Sequence, residues 1–145
     1  MGDSYTKLFY HITFHTGGNR CCLTEDVCSD LYPYVGGIVR RLSGKLVEIG
    51  GTRDHVHLLA ILPASLALSD AVREIKSVSS RWLKQRSPFQ WQTGYGGFTV
   101  SQSGVREVQD YILNQEEHHK GMTAIEELEK LLRAHRIDFD EKYLV

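Results

Sequence analysis

The chain has little of what would place it in several large protein classes. Its three cysteines, Cys21, Cys22 and Cys28, are an odd number with two adjacent. That excludes a disulfide framework and suits reduced thiols in a cytoplasm. A zinc site built from these three and His15 matches no standard ligand spacing, and we set it aside. No segment approaches the roughly 20 apolar residues of a membrane-spanning helix, and the first residues hold no apolar run of the signal-peptide type. No repeat, low-complexity tract or linker interrupts the chain. Charge of one sign is missing too, since 17 Lys and Arg against 18 Asp and Glu leave a formal net charge of -1. The total charge is therefore silent about nucleic acid. What remains is the profile of a small enzyme: 145 residues, read as one domain over 1–145, long enough for a core without disulfides.

The charge that is present is unevenly spread. Between Ala71 and Arg86, the basic residues Arg73, Lys76, Arg81, Lys84 and Arg86 outnumber the lone acid Glu74. Arg73, Lys76, Ser80 and Lys84 follow one helical stripe, a pattern shared by solvated helix faces and by surfaces that hold phosphates. The C-terminal third is acidic, with Glu126, Glu127, Glu129, Asp138, Asp140 and Glu141.

Periodicity predicts a strand over Lys7 to His15, then a helix over Thr24 to Leu42 opened by a Thr cap and weakened by Pro33 and Gly36-Gly37. Strands over Lys45 to Ile49 and Asp54 to Leu62 read as a hairpin joined around Gly50-Gly51. A second helix covers Ser69 to Gln85, with Val72, Ile75, Ser79 and Trp82 inward. A fourth strand covers Gly96 to Ser101. A helix from about Gly104 to His119 follows, and a last one from about Thr123 to His135. This order predicts an α+β fold, an antiparallel sheet of βαββαβ order with additional C-terminal helices.

Two short elements carry the chemistry. His55-Val56-His57 precedes the apolar run Leu58-Leu59-Ala60-Ile61-Leu62, which reads as a buried strand. Side chains two apart on a strand share a face, so the two imidazoles project together and make half of a divalent-metal site. Histidine-triad nucleotide hydrolases need a third histidine two residues further on, where this chain has Leu59. On the later helix, Tyr111 and Gln115 are four apart and stack on one face. A phenol and a carboxamide so placed suit a nucleophile and a neutral oxygen ligand.

Together with Tyr5-Thr6-Lys7-Leu8-Phe9-Tyr10-His11-Ile12, Ser79-Ser80-Arg81-Trp82 and Trp91-Gln92-Thr93-Gly94-Tyr95-Gly96-Gly97-Phe98, these pieces form an ordered set that spans nearly the whole chain. The set resembles the single-tyrosine HUH transposases (TnpA type) of small bacterial insertion sequences. The resemblance implies a ferredoxin-like sheet with the His-x-His strand central. It also implies Tyr111 as the nucleophile of a single-strand DNA transposase, forming a covalent 5′-phosphotyrosine and a free 3′-hydroxyl at hairpin ends. A free phenol has a pKa of about 10, so Tyr111 needs help at neutral pH. Mg²⁺ or Mn²⁺ held by His55, His57 and Gln115 would polarise the phosphate.

Around this core, Arg73, Lys76 and Lys84 are candidate phosphate contacts. Tyr95 and Phe98 are candidate stacking faces for unpaired bases, although strand packing accounts for them equally well. Asp54 is a candidate to orient His55. His118 and His119 lie within reach of the site, but an exposed helix end is the simpler account of them. Strand His55–Leu62 is apolar on both faces, and few helices are available to cover it. That suggests a homodimer, and the resemblance implies one with each active site shared between subunits. A host-adopted or replication-initiator-like nickase and a non-catalytic hairpin-binding descendant are the alternatives.

Overall fold

The computed structural model describes residues 2–144. Four strands form one antiparallel sheet: β1 (Leu8–His15), β2 (Lys45–Gly51), β3 (His55–Leu62) and β4 (Gly96–Val100), in the order β2-β3-β1-β4. Between them run helices α1 (Glu25–Arg41) and α2 (Leu68–Lys84). After β4 come α3 (Val105–Leu113), the short α4 (Gln115–His118) and α5 (Ala124–Ala134). The βαββαβ order and this strand order make the α+β fold ferredoxin-like, with β3 inside the sheet as expected.

Strand alternation divides the chain between two faces. Ile12 and Phe14 of β1, with Val56, Leu58, Ala60 and Leu62 of β3, point into a core shared with α1 and α2. Each of these except Ala60 contributes about 1.5–3 kcal/mol on burial. Phe9, Leu59 and Ile112 anchor a second cluster on the opposite face, under α3. Both faces of β3 are thus covered within one chain, and its apolar character does not require a second subunit.

Several local expectations change. Helix α1 runs unbroken through Pro33 and Gly36-Gly37, because Leu31, Val35, Ile38 and Val39 keep a continuous buried stripe and Pro33 faces solvent. Its N-terminus is capped by Thr24, whose hydroxyl accepts from the Val27 N–H. Gly50 and Gly51 lie inside β2, so the hairpin turns over residues 52–54 instead. Leu83 takes the buried place in α2 expected for Trp82, which is half-buried and stacks on Tyr34 with centroids 4.7 Å apart. The helix carrying Tyr111 is divided at Asn114, whose φ of -98° and ψ of 21° separate α3 from α4.

Gly50 decides how closely α3 approaches the sheet. A Cβ there would lie 2.5 Å from the Ile112 carbonyl oxygen, a distance no side chain tolerates. The missing side chain lets α3 settle next to the residue pair Gly50 and His57.

Candidate active site

His55, His57, Leu59 and Ile61 occupy the β3 face turned away from α1 and α2, joined on β1 by Phe9, His11, Thr13 and His15. Both histidines of the pair are 0% exposed. His55 Nδ1 donates to Asp54 Oδ1 at 2.8 Å, and the Thr52 hydroxyl donates to the same carboxylate at 2.9 Å. That contact points His55 Nε2 inward, 2.9 Å from Gln115 Oε1 and 3.2 Å from Glu127 Oε1. His57 Nε2 donates to Glu127 Oε1 at 2.7 Å, while its Nδ1 meets His11 Nε2 at 2.8 Å.

Across from the pair, α3 and α4 deliver Tyr111 and Gln115. The Tyr111 ring stands edge-on to His57, centroids 5.6 Å apart, and its hydroxyl donates to Glu127 Oε2. Gln115 is buried; its amide donates to the Tyr111 carbonyl at 3.3 Å, which leaves Oε1 facing His55 and His119. The two residues therefore still act from one side, despite the break at Asn114.

The group that ties the site together is an acid that the sequence shows only as one member of an acidic C-terminal third. Glu127 on α5 is buried and accepts from His57, Tyr111 and His55, with His118 and His119 at 3.5 and 3.1 Å. The available signal was positional: Glu127 follows Ala124 by three and precedes Leu131 by four, an acid on the apolar stripe of its helix. His119 also joins the site instead of marking an exposed helix end. Its Nδ1 donates to the Met122 carbonyl, which turns Nε2 toward two oxygens, Gln115 Oε1 at 3.0 Å and Glu127 Oε1 at 3.1 Å.

Electrostatics follow from burial and this carboxylate. Burial opposes a charge on His55, but hydrogen bonds to Asp54, Glu127 and Gln115 outweigh it and raise its pKa to about 9. Burial dominates at His57 and lowers it to about 4, against the pull of Glu127. Burial would raise the Glu127 carboxyl, yet the hydrogen bonds from His55, His57 and Tyr111 hold it far below the usual carboxylate range. Burial and the adjacent Glu127 carboxylate push the Tyr111 phenol up, so it stays protonated at neutral pH.

The donor set fits a divalent cation. One ligand atom each from His55, His119 and Glu127 lies within 4.8 Å of the others. Gln115 Oε1 and His57 Nε2 touch members of this group. Imidazole nitrogens, a carboxamide oxygen and a carboxylate oxygen converging on one point are the donor types that divalent-cation sites use.

A family model described as "Transposase IS200 like" matches residues 4–115. The chain belongs to the IS200-like transposase family. Among solved structures it is similar to a putative transposase from Deinococcus radiodurans, with TM-score 0.64 and 27% identity over 79% of this chain and 96% of that one. It also shares its fold with a REP-associated tyrosine transposase bound to a REP hairpin, with TM-score 0.63 and 19% identity over 82% of this chain and 73% of that one. No curated protein matches it in sequence. In this transposase, His11, His55, His57, Tyr111 and Gln115 lie within the matched residues. His118, His119 and Glu127 come from beyond them.

The surface candidates separate. Phe98 is only 4% exposed, stacked on His135 with centroids 4.2 Å apart and packed against His11. A side chain clamped on both sides is not a stacking face for bases, which corrects that expectation. Lys76 is also reassigned: its Nζ donates to the Gln92 and Gly94 carbonyls at 2.7 Å each and lies over the Phe14 ring. It pins the segment before β4 instead of reaching for phosphate. Arg73 pairs with Asp70 at 2.8 Å on the surface, and Lys84 is exposed. Both sit on α2, across the sheet from the histidines. Tyr95 is 43% exposed and stays available. Cys21 and Cys22 are exposed and Cys28 is half-buried, all three free. No described helix is long and apolar enough to cross a membrane.

Proposed function

We propose that this transposase cleaves and rejoins single-stranded DNA at hairpin ends, with Tyr111 as the nucleophile. The observation that carries the reading is the meeting of the Tyr111 hydroxyl and the His55–His57 pair on one buried carboxylate. A phenol raised by burial needs its proton removed and charge supplied at the phosphate, and both needs converge at this point. His55 and His57, with Gln115, Glu127 and His119, would hold Mg²⁺ or Mn²⁺, which when bound polarises the phosphate and lowers the barrier to attack. Glu127 adds the anionic oxygen that imidazoles and a carboxamide lack, and hard divalent cations favour it.

Tyr111 attacks the phosphorus, the bond to the 3′-oxygen breaks, and a 5′-phosphotyrosine forms while the leaving oxygen takes up a proton. Glu127 Oε2 is the acceptor already in place for the phenol proton. The phosphotyrosine retains the energy of the broken bond, so rejoining needs no nucleotide. Asp54 orients His55 by fixing which ring nitrogen faces the site. Arg73 and Lys84, on the exposed surface of α2, would contact the phosphates of a duplex stem, and Tyr95 would stack on an unpaired base. The REP-hairpin complex of the structural neighbour supports a hairpin as the ligand. A DNA substrate of this kind is in keeping with a protein that works in the cytoplasm.

The resemblance implies a homodimer with shared sites. The geometry supports a site completed within one chain, because α3 and α4 rest on their own β2 and β3. Incubation with single-stranded DNA from flanking imperfect palindromes tests the function: an adduct stable on denaturing gels is expected, and none with Tyr111→Phe. Hairpin binding without any adduct would favour a non-catalytic descendant.

A further inference from the structure

His11 has no part in the reading above, yet it is buried against the centre of the site. Its ring lies 5.0 Å from that of His57 and 5.9 Å from those of Tyr111 and Phe98. Register explains the contact: His11 pairs with Leu59 and His57 with Thr13, so the two histidines are diagonal neighbours on one face. Their only polar contact with each other is His11 Nε2 to His57 Nδ1 at 2.8 Å.

A hydrogen bond between two neutral imidazole nitrogens needs one N–H and one lone pair. His57 Nε2 faces the Glu127 carboxylate, which only accepts, so Nε2 carries the hydrogen and Nδ1 is a lone pair. His11 Nε2 is therefore the donor. A metal at His57 Nε2 requires the reverse arrangement, with the lone pair on Nε2 and the hydrogen on Nδ1.

We propose that His11 is a positioning residue that lets His57 exchange tautomers: when a divalent cation enters, His57 moves its hydrogen to Nδ1 and donates it to His11 Nε2, whose own hydrogen moves to Nδ1. The pair holds two ring hydrogens before and two after, so no net proton is taken up or released by it. Without His11, the buried Nδ1–H of His57 would lose its partner, and an unpaired buried donor is disfavoured. The inference rests on the metal reading proposed above.

Two measurements test it. In the full chain labelled with ¹⁵N-histidine, long-range ¹⁵N–¹H spectra report which ring nitrogen carries hydrogen. In chelator, His57 and His11 are expected as Nε2–H tautomers; in saturating Mg²⁺, both become Nδ1–H. If Mg²⁺ moves the His55 signals while His57 and His11 keep their tautomers, the exchange is overturned and the metal reading stands. If no ring signal responds to Mg²⁺, both fall. Separately, His11→Phe keeps the ring shape and removes both nitrogens, whereas His11→Gln keeps a donor and an acceptor. Mn²⁺ affinity, followed by the electron paramagnetic resonance of free Mn²⁺, is expected to drop on the order of tenfold or more in His11→Phe and to recover in His11→Gln. Parent-like Mn²⁺ affinity in a folded His11→Phe protein overturns the proposal.

Discussion

Tyr111 and His57 of one chain stand ring edge to ring face, their centroids 5.6 Å apart at an interplanar angle of 88°. Nothing from a second copy is needed to bring the phenol to the histidine pair. The relationship bears directly on how subunits cooperate. Mixing Tyr111→Phe with His57→Ala distinguishes the arrangements, because exchanged helices would restore one intact site in the heterodimer. With sites complete in one chain, the mixture is expected to be as inactive as either parent. Recovery of adduct formation on mixing would show that the tyrosine serves the partner's histidines.

The shared carboxylate should control metal and phenol together. Glu127→Gln keeps the shape and removes the charge, and is expected to weaken Mn²⁺ binding by about tenfold or more. Chelator should abolish cleavage by the unmodified protein, with recovery on adding Mg²⁺ or Mn²⁺. Faster adduct formation in Glu127→Gln would mean that the carboxylate obstructs the phenol, and its role as a ligand would be lost.

Nucleophile and binding surface should be separable. Tyr111→Phe removes a hydroxyl but keeps the ring that packs against His57, so hairpin affinity is expected to stay nearly unchanged while the covalent adduct disappears. An adduct that persists in this variant would assign the chemistry to another residue, with the exposed Tyr95 the first to examine.

The stability of the protein in chelator should pass through a maximum near pH 6.5. His55 is raised to about 9, so its contribution is full below the unfolded value of 6.5 and lost as pH rises through about 9. His57 and His11 are lowered to about 4 and about 3; between those values and 6.5 the unfolded chain binds more protons, so stability rises with pH there and is lost as pH falls. The depressed Glu127 carboxyl adds to the acid-side loss below its unfolded value of 4.5. Thermal melts from pH 5 to 9.5, each at about half-unit steps, would show the dome. A stability that rises steadily to the alkaline end would contradict the charged, partnered state of His55.

Gly50→Ala tests the seating of α3. The added methyl meets the Ile112 carbonyl, so α3 must lift from the sheet or β2 must yield. A loss of about 1–3 kcal/mol in urea unfolding is expected, together with slower adduct formation as Tyr111 moves from His57. An unchanged protein would show that this close approach does not hold the tyrosine in place.

Much of this molecule is legible along the chain. Alternation puts His55 and His57 on one face of a strand, a period of four puts Tyr111 over Gln115, and the βαββαβ order constrains the sheet. Asp54 is found beside His55 because adjacent residues at a strand start have few other places to go. These are relations within an element or between chain neighbours, and backbone periodicity governs them.

The remaining features depend on which element covers which face. Glu127 lies 70 residues from His57 along the chain, and no local period links the two; α5 joins them by closing over the sheet. The same packing turns His119 inward, sets His11 diagonal to His57, confines Phe98 between two histidines and puts the α2 stripe across the sheet from the site. Lys76 meets the Gln92 and Gly94 carbonyls only because β4 returns beside β1. Sequence by itself determined the two histidines, the tyrosine and the frame that aligns them. Tertiary structure alone decided the carboxylate between them, because a buried charge is placed by the partners that converge on it from distant segments.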